Sequence, residues 1–427
     1  MASSTFDIIE DMEQRGLVAQ MTSGDELKSI LLSTRTLYGG FDPTAESLHI
    51  GNLVPLLALR RFQLAGHRPI ALVGGATGLI GDPSFKASER QLNSNDVVEG
   101  WVDRIRDQVS QFIDFDAGSA SAIVVNNLDW VRDVNVLDFL RDVGKHFSVN
   151  SMIQKDSVKQ RLERDGAGIS FTEFTYMILQ SYDFSELYKR YGCILQIGGS
   201  DQWGNITGGI DLTRRVHRAQ VYGLTIPLVT KADGQKFGKT ETGTVWLDGS
   251  KTSPYAFYQF WLNAADADVY QFLRFFTFLE PSEIADLEIS DKAALGRPAA
   301  QGVLAREVTK LVHGVKGLEA AERISDALFS GELGGLNAED FEQLKLDGLP
   351  STIAATDALG IIDVLVSTGL AASNRIAREL VAGQAITVNG DRVTTDAYIL
   401  SKSSAFFGRY VLLKRGKKVF HLVLLPV

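Results

Sequence analysis

Short, fully apolar segments alternate with stretches of helical periodicity through the first half of the chain. Leu53, Leu56, Leu57 and Leu64 share one helical face and predict a helix from about 53 to 65. Continuous apolar runs are typical of strands that are buried on both faces of a parallel sheet. The pattern therefore predicts an α/β fold with a doubly wound parallel sheet, in which ligands bind beyond the carboxyl ends of the strands. The predicted strands lie at 36–41, 69–73, 122–125, 194–197 and 226–229.

The strand pattern stops near residue 250, and the remainder of the chain differs in character. Between 305 and 328 the apolar positions follow one helical stripe. The segment 331–357 is acidic and contains glycines, so it predicts a linker. Apolar runs at 411–413 and 419–424 then predict strands of a small terminal domain. The predicted segments are 1–230, 231–330, 331–357 and 358–427.

Length and composition restrict the classes of protein to which the chain can belong. Its 427 residues are too many for one compact core and predict two or three domains. The formal net charge of −9 argues against a protein that coats nucleic acid non-specifically, although a local basic face is compatible with it. A single cysteine, Cys193, excludes an internal disulfide framework and a thiolate zinc site, and the six histidines do not follow metal-ligand spacing. We therefore expect no structural metal.

The first residues of the chain and its apolar runs indicate where in the cell the protein is expected. The first residues lack the basic and apolar regions of a signal peptide. No apolar run is long enough to span a bilayer. These features predict a soluble, cytoplasmic protein.

The loop at 41–52 is the first candidate site for a phosphate group. A turn of the type Asp-Pro-Thr ends at Thr44, and His49-Ile50-Gly51-Asn52 leads directly into the predicted helix. Unpaired backbone N–H groups and the positive end of the helix dipole favour phosphate at such a position. Gly51 lets a ligand approach the backbone, and His49 can donate a hydrogen bond to a phosphate oxygen. Taken alone, the segment is also compatible with an ordinary loop that carries a surface histidine.

The segment 236–240, with the sequence Lys-Phe-Gly-Lys-Thr, is the second candidate phosphate site. A P-loop has four residues between its first glycine and Gly-Lys-Thr, whereas only three separate Gly234 from that motif here. The segment fits better as a flexible loop whose two lysines fold over phosphates during a reaction. The glycine-rich loop at 74–81 also departs from the dinucleotide pattern, because Ala76 occupies the second glycine position.

These two signatures, in this order, resemble those of the class I aminoacyl-tRNA synthetases. The segments 38–44, 173–184 and 198–205 resemble the bacterial tyrosyl members of that family, and the likeness runs through nearly the whole chain. The resemblance implies a Rossmann-like doubly wound catalytic domain, then an α-helical domain, then a small C-terminal α+β RNA-binding domain.

The resemblance also implies a reaction. Tyrosine and ATP, with Mg²⁺ sharing the phosphate charge, give tyrosyl-adenylate and pyrophosphate, and the tyrosyl group then passes to the 3′ end of tRNA. The substrate carboxylate is the nucleophile, so catalysis rests on positioning and on stabilising charge. The family usually has a second histidine where this chain has Asn52, and a serine where it has Thr240; both replacements keep a hydrogen-bond donor. The catalytic residues implied are Thr44, His49, Asn52, Lys236, Lys239 and Thr240.

Selection of tyrosine can be argued from the phenol group. A phenol both donates and accepts a hydrogen bond, so Asp183 as acceptor and Tyr38 as donor would recognise it, and phenylalanine would leave those groups unpaired. Tyr176, Gln180 and Asp183 fall at i, i+4 and i+7, on one face of a helix. Taken alone, Tyr176 and Gln180 also fit routine half-buried helix positions. The resemblance implies a tyrosine-binding set of Tyr38, Asp82, Tyr176, Gln180, Asp183, Gln196 and Gln202.

The nucleotide would lie beside this pocket. By the resemblance, Asp201 serves the ribose, and Gln202 faces the carboxylate of tyrosine. The implied ATP-binding residues are Gly39, Asp42, His49, Gly51, Asp201 and Lys239.

The terminal domain predicts an RNA partner. Residues 401–427 contain six lysines and arginines and no acidic residue, so this region opposes the charge of the whole chain. The segment 373–390 resembles a small RNA-binding module shared with a ribosomal protein, with a helix that carries arginines and a strand that ends in an Asn-Gly hairpin. Its cations would contact phosphates of tRNA, and the family implies a homodimer. The RNA-binding residues implied are Arg375, Arg378, Lys414 and Arg415.

Other functions are compatible with part of this pattern. The tryptophanyl enzymes share the fold and both signatures, but the pair Tyr38 and Asp183 favours a phenol over an indole. A non-catalytic RNA-binding relative is a second alternative, against which the retained Thr44, His49 and Lys236 argue. A P-loop NTPase is disfavoured by the spacing at 236–240.

Overall fold

The computed structural model describes residues 7–82, 94–163, 168–232, 237–240, 243–296, 298–416 and 419–426. The chain forms two compact units. The first contains Met1–Leu247 and Ala265–Ala300, and the second contains Asp248–Ala264 and Gln301–Val427. The chain therefore passes between the units more than once, which the predicted limits at 230, 330 and 357 do not anticipate; those limits stay predictions.

The helices occupy about half of the described chain. In chain order they are α1 Ile8–Gln14, α2 Gly24–Ile30, α3 Ile50–Leu64, α4 Thr77–Ile80, α5 Asn95–Ser110, α6 Leu128–Val131, α7 Val136–Asp138, α8 Val149–Ile153, α9 Asp156–Leu162, α10 Phe171–Tyr191, α11 Trp203–His217, α12 Pro254–Leu262, α13 Asp266–Phe276, α14 Pro281–Ala293, α15 Ala300–Ser330, α16 Ala338–Leu346, α17 Ile361–Ser367 and α18 Asn374–Ala382.

The strands are shorter. They are β1 Gln20–Met21, β2 Thr36–Phe41, β3 Arg68–Val73, β4 Ile123–Asn126, β5 Cys193–Gly199, β6 Tyr222–Ile226, β7 Lys239–Thr240, β8 Gly243–Thr244, β9 Ser351–Ile353, β10 Ala358–Gly360, β11 Ile386–Val388, β12 Asp391–Arg392, β13 Ile399–Ser401, β14 Tyr410–Arg415 and β15 Val419–Leu424.

The first unit is built on a six-stranded sheet in the order β1-β6-β5-β2-β3-β4. The five strands from β2 to β6 pair in parallel, and the short β1 runs antiparallel at one edge. Helices connect the parallel strands, as crossover connections require. The predicted doubly wound sheet is confirmed, and β2 lies in its middle.

One predicted strand is displaced. The expected strand at 226–229 is wrong, because β6 ends at Ile226. The residue that follows is proline, which has no N–H to donate to a neighbouring strand. The apolar residues after it continue the hydrophobic pattern but cannot continue the strand.

A buried cluster lies between the middle of the sheet and α10. Tyr38 on β2 packs in it with Ile70 on β3, Trp130 on α6 and Phe184 on α10. The rings of Tyr38 and Phe184 meet edge to face, with centroids 5.2 Å apart. This core fixes α10 against β2 at Tyr38, and so determines which face of α10 meets the loops beyond the strands.

The second unit carries the terminal sheet. Its five strands lie in the order β12-β11-β14-β15-β9, and β10 pairs separately with β13. The Asn-Gly hairpin prediction is confirmed: Asn389 and Gly390 join β11 to β12, both with positive φ. The predicted helix with arginines is α18, which directly precedes this hairpin.

The expected linker at 331–357 differs from the structure. This segment contains α16 and β9, and β9 pairs with β15 in the terminal sheet. Phe341 on α16 is fully buried and stacks on Tyr410, with ring centroids 5.0 Å apart. The acidic residues and glycines of the segment obscured this apolar face in the sequence.

Among the described residues, no helix combines the length and the apolar character needed to cross a bilayer.

Candidate active site

The first signature caps the N-terminus of α3. His49 is the N-cap residue, and its Nδ1 accepts a hydrogen bond of 3.0 Å from the N–H of Gly51. Because Nδ1 accepts, the ring of neutral His49 carries its proton on Nε2. A Cβ on residue 51 would lie 2.8 Å from Cε1 of His49, so glycine is required for this turn. The arrangement provides an N–H donor at a helix N-terminus, which suits a phosphate oxygen.

Asn52 has a structural partner that the sequence analysis did not foresee. Its Oδ1 accepts a hydrogen bond of 3.1 Å from the backbone N–H of His49, which completes a reciprocal capping box. Asn52 therefore orients the histidine of the signature through the backbone. Its expected contact with the nucleotide stays a prediction.

The second signature lies beside the first. Gly238 has a φ of +83° and approaches Ile50, and its carbonyl accepts from the N–H of Val245 at 3.1 Å. Val245 in turn accepts from the N–H of Ile50 at 3.1 Å, and the N–H of Leu247 donates to Leu48 at 2.9 Å. The hairpin of β7 and β8 is thereby held against the start of α3. Two segments separated by almost two hundred residues meet at one helix end.

The lysines of the second signature are described only in part. Lys239 and Thr240 form the backbone of β7. Lys236 lies outside the described residues. The roles of all three toward phosphate therefore stay predictions.

The buried carboxylate of Asp183 is the centre of a hydrogen-bond network near the carboxyl end of β4. Its Oδ1 accepts from Nε1 of Trp130 at 2.8 Å, and its Oδ2 accepts from Nδ2 of Asn127 at 3.0 Å. Only 1% of Asp183 is exposed. Burial raises the pKa of its carboxyl group to about 7, although the two hydrogen bonds lower it. Each oxygen keeps a lone pair with which it can accept a further hydrogen bond.

Tyr38 lies close to this carboxylate. Its hydroxyl is buried and has no hydrogen-bond partner among the described residues. Burial, followed by the negative charge of Asp183, raises the pKa of Tyr38 well above its ordinary value. A buried hydroxyl without a partner destabilises the fold, so its presence indicates a site for a polar ligand atom.

A second carboxylate connects the same network to the loop of the first signature. Asp42 accepts from Thr77 Oγ1 at 2.6 Å and from the Tyr176 hydroxyl at 2.7 Å. Asn127 Nδ2 also donates to Thr77 Oγ1 at 3.0 Å, so Asp42 and Asp183 belong to one network. In this structure Asp42 orients Tyr176, and its expected role toward ATP stays a prediction.

Thr77, Asn127 and Trp130 are functional candidates that the sequence analysis missed. Asn127 and Trp130 follow β4 directly, at the carboxyl edge of the sheet where ligands bind. An asparagine and a tryptophan directly after a buried strand were a signal that could have identified them.

The remaining predicted tyrosine-site residues fall into two groups. Gln202 donates to Asp82 at 2.8 Å and to Asp201 at 3.0 Å, so these three residues form one polar cluster. Burial raises the pKa of Asp201 above its ordinary value. Gln180 and Gln196 each have a buried side-chain carbonyl oxygen with no partner among the described residues. Both oxygens suit a ligand that donates hydrogen bonds, such as an ammonium group.

Two further predicted residues lie on β2 and in the loop that follows it. Gly39 is buried in β2, where a Cβ would come within 3.3 Å of Leu59 on α3. Its small size therefore lets α3 pack closely on the sheet. Thr44 is exposed, and its N–H donates to the carbonyl of Asp42 at 2.9 Å.

The predicted RNA-binding residues are mostly exposed in the second unit. Arg375 and Arg378 lie on α18, where they pair with Glu379 at 2.5 Å and with Asp396 at 3.8 Å. Exposed pairs of this kind are weak and exchange readily for phosphate partners. On β14, the ammonium of Lys414 lies 4.9 Å from the ring centroid of Phe420.

Arg415, the next residue on β14, is anchored differently. Its Nη1 donates to the carbonyl of Leu370 at 2.7 Å. This bond ties the end of β14 to the segment before α18. The cations of the two elements therefore belong to one end of the terminal domain.

Comparison with known families covers nearly the whole chain. The model of tRNA synthetases class I (W and Y) matches residues 33–330. The model of the tyrosine–tRNA ligase SYY-like C-terminal domain matches residues 340–423.

Individual proteins agree with the family models. The chain is 63% identical over 421 residues to a tyrosine–tRNA ligase of Aliivibrio fischeri (strain MJ11), covering 98% of this chain and 99% of the relative. It is 58% identical over 424 residues to a tyrosine–tRNA ligase of Escherichia coli O8 (strain IAI1), covering 99% of both.

Solved structures resemble the fold. A C-terminally truncated mitochondrial tyrosyl-tRNA synthetase of Aspergillus nidulans aligns with a TM-score of 0.68 at 29% identity, over 76% of this chain and 94% of that chain. A tryptophanyl-tRNA synthetase of Encephalitozoon cuniculi aligns with a TM-score of 0.54 at 12% identity, over 80% of this chain and 94% of that chain, which shows the shared fold alone.

Proposed function

Because the chain belongs to the class I tRNA synthetases of the tryptophan and tyrosine group, we propose how its residues carry out the reaction of a tyrosine–tRNA ligase. The enzyme activates L-tyrosine with ATP, forming tyrosyl-adenylate and pyrophosphate, and then transfers the tyrosyl group to the 3′ end of tRNA. The relatives along its full length are tyrosine–tRNA ligases, and its terminal domain matches theirs.

The pair Tyr38 and Asp183 is the main observation from which we assign a tyrosine-binding pocket. The phenol of tyrosine donates to the Asp183 carboxylate and accepts from the Tyr38 hydroxyl. The buried Tyr38 hydroxyl without a partner and the spare lone pairs of the Asp183 carboxylate support this assignment. An indole has a donor but no acceptor, so it would leave the Tyr38 hydroxyl unpaired.

The ammonium group of tyrosine binds at the other end of the pocket. Tyr176 uses its proton to bond Asp42, so its oxygen is left to accept from an ammonium N–H. The buried carbonyl oxygens of Gln180 and Gln196 add acceptors, and Asp82 adds negative charge. Gln202, which is fixed by Asp82 and Asp201, borders the tyrosine carboxylate.

In the activation step an oxygen of the tyrosine carboxylate attacks the α-phosphorus of ATP, and the bond to the pyrophosphate oxygen breaks. His49, through Nε2–H, and Thr44 donate hydrogen bonds to the phosphates. Lys236, Lys239 and Thr240 close over the leaving pyrophosphate. The backbone contacts of Gly238 and Val245 with the start of α3 support this placement. The protein lowers the barrier by positioning and by charge stabilisation.

ATP enters as its magnesium complex, in which Mg²⁺ shares the phosphate charge. Among the described residues there is no cluster of three histidine, cysteine, aspartate or glutamate side chains placed to hold a metal ion. We therefore assign the ion to the nucleotide, whose oxygens are ligands that Mg²⁺ prefers. Asp42, Gly39, Gly51 and Asp201 border the nucleotide.

The terminal domain holds tRNA during transfer. Arg375, Arg378, Lys414 and Arg415 contact phosphates of the RNA. The exposure of the α18 arginines and the absence of acidic residues from 401–427 support this role.

The working enzyme is a homodimer in the cytoplasm. Large apolar side chains between 136 and 171 are exposed along the α7–α10 region, with 78% of Phe171 exposed to solvent. We assign these side chains to the interface between two copies, because large exposed apolar surface is typical of a protein interface. The exposed apolar residues of this stretch are Val136, Leu137, Leu140, Val149, Ile153, Leu162 and Phe171.

Exchange of labelled pyrophosphate into ATP tests the proposed pocket. We expect exchange with tyrosine alone among the twenty amino acids, in the absence of tRNA. Exchange with tryptophan would reject the phenol pocket. Failure of exchange with every amino acid, in folded protein, would reject catalysis in favour of an RNA-binding role.

A further inference from the structure

A tight hairpin in the terminal domain presents an aromatic ring to solvent. Phe406 and Tyr410 pair across it, and each N–H donates to the other's carbonyl at 2.9 Å. Between them, Phe407 has a φ of +54° and Gly408 a φ of +67°. Of the Phe407 side chain, 61% is exposed.

A phenylalanine in the left-handed region is strained, because its Cβ lies close to the following carbonyl oxygen. Phe407 is the only aromatic residue with positive φ in the part of the chain that the structure describes. Asn389 shares this conformation, but its side chain donates to Ser404 at 2.7 Å and accepts from Leu412 at 2.8 Å. The phenyl ring of Phe407 has no donor or acceptor with which to form such bonds, so side-chain hydrogen bonds do not offset its strain.

The residues around Phe407 hold the hairpin rigidly. Phe406 stacks on Phe341 with centroids 5.4 Å apart, and Tyr410 stacks on the same ring. The guanidinium carbon of Arg409 lies 5.6 Å from the Tyr410 ring centroid. A rigid hairpin presents a ring at little further entropic cost when a ligand binds.

The charge near the ring favours a nucleic acid. Arg409 lies two residues after Phe407, and 41% of its side chain is exposed. Lys402 adds a second cation. The acidic groups nearby are Glu342, 4.0 Å from Arg409, and Asp357, 3.4 Å from Lys402. An exposed ring beside an arginine fits an unpaired base and its phosphate, since double-stranded RNA offers no free base face.

We propose that Phe407 stacks on an unpaired base of the bound tRNA and that Arg409 contacts an adjacent phosphate. The inference rests on the proposed function of the terminal domain in holding tRNA, and it adds a single-stranded contact to the phosphate contacts of Arg375, Arg378, Lys414 and Arg415.

Binding of tRNA by the full-length protein, measured over a range of salt concentrations, tests the proposal. Phe407→Asn keeps a residue that tolerates positive φ but removes the ring. We expect it to bind tRNA about ten-fold more weakly at every salt concentration, with an unchanged slope of log affinity against log salt. Phe407→Trp, which keeps an aromatic ring, should bind tRNA with the affinity of the wild type. Arg409→Gln should reduce the slope by about one.

Thermal unfolding separates a binding role from a structural one. Since Asn tolerates the left-handed backbone, Phe407→Asn should unfold at the same or a higher temperature than the wild type. The matched control is Ile289→Asn on α14, another exposed apolar side chain, which should leave tRNA binding unchanged.

Wild-type tRNA affinity in Phe407→Asn would overturn the proposal. So would a lower unfolding temperature combined with failure of Phe407→Trp to restore binding, because the ring would then act in the fold. The variant Lys414→Glu distinguishes failure of the terminal domain's proposed role in tRNA binding from failure of the Phe407 stacking contact. If it binds tRNA normally, the proposed role of the terminal domain fails; if it binds weakly while Phe407→Asn binds normally, the stacking alone fails.

Discussion

The indole Nε1 of Trp130 donates a hydrogen bond of 2.8 Å to Oδ1 of Asp183. This bond, with the one from Asn127 to Oδ2, fixes the orientation of a carboxylate that is fully buried beside Tyr38. A carboxylate held in this way can present its remaining lone pairs in a defined direction. The proposed recognition of the phenol therefore depends on donors that we do not place in contact with the substrate.

Removing the indole N–H tests this dependence. Trp130→Phe should raise the KM for tyrosine about ten-fold, because Asp183 loses a charge-assisted hydrogen bond and its fixed orientation. The KM for ATP should change little. Pyrophosphate exchange measures both constants. Trp101→Phe on α5 is the control, and an equal rise in both KM values for Trp130→Phe would contradict the prediction.

The raised pKa of Asp183 predicts a dependence of stability on pH. Burial raises this pKa from 3.8 to about 7 in the folded protein. The folded state therefore holds the proton more tightly, and the contribution to stability is fully present below about pH 4 and is lost as the pH rises through about 7. Asp183→Asn is neutral throughout, so its free energy of unfolding should fall less between pH 5 and pH 8 than that of the wild type. Urea unfolding at both pH values measures the difference, and identical falls would refute the assignment.

The unpartnered hydroxyl of Tyr38 predicts opposite effects on stability and on specificity. Tyr38→Phe should leave the free energy of unfolding unchanged or raise it by about 1 kcal/mol, because a buried unpaired group is removed. Its preference for tyrosine over phenylalanine in pyrophosphate exchange should fall about ten-fold. Tyr176→Phe is the matched control, since its hydroxyl bonds Asp42 and its loss should destabilise the fold. An unchanged preference in Tyr38→Phe would exclude it from the phenol site.

The terminal domain can be tested without deleting it. Removal of residues after about 350 should preserve adenylate formation and abolish tRNA charging, but Tyr410 and Leu412 share a core with Ile324 and Phe341, so truncation would also expose apolar surface. The double variant Arg375→Glu/Arg378→Glu avoids this problem. It should lower tRNA charging at least ten-fold and leave pyrophosphate exchange intact. Normal charging would refute the role of α18.

The proposed homodimer rests on the exposed surface that includes Phe171. Phe171→Glu should yield a monomer, because the charge would be buried without a partner in the interface. A carboxylate in the first turn of α10 is favourable for the helix itself, so the monomer should stay folded. Sedimentation velocity measures the mass. Phe329→Glu, at another exposed phenylalanine, is the control; a wild-type mass for both variants would exclude this surface as the interface.

Much of the fold could be predicted from the order of apolar and polar residues. The parallel strands, the helical face that carries Tyr176, Gln180 and Asp183, and the Asn-Gly hairpin all follow from local periodicity and turn chemistry. These features depend on residues that are close in the chain, so the sequence specifies them without knowledge of the packing. The two signatures likewise identify the family from short motifs.

Tertiary structure decided what those residues touch. Trp130 and Asp183 are 53 positions apart, and they meet because α6 and α10 pack into one buried cluster on the sheet. The sequence predicts a linker where the structure has α16 at 338–346. This helix is held by a distant residue, since the ring of Tyr410 stacks on Phe341. The sequence by itself determined the elements and the family. Contacts between distant segments were decided only by strand order and packing, because local propensity does not encode which buried faces meet.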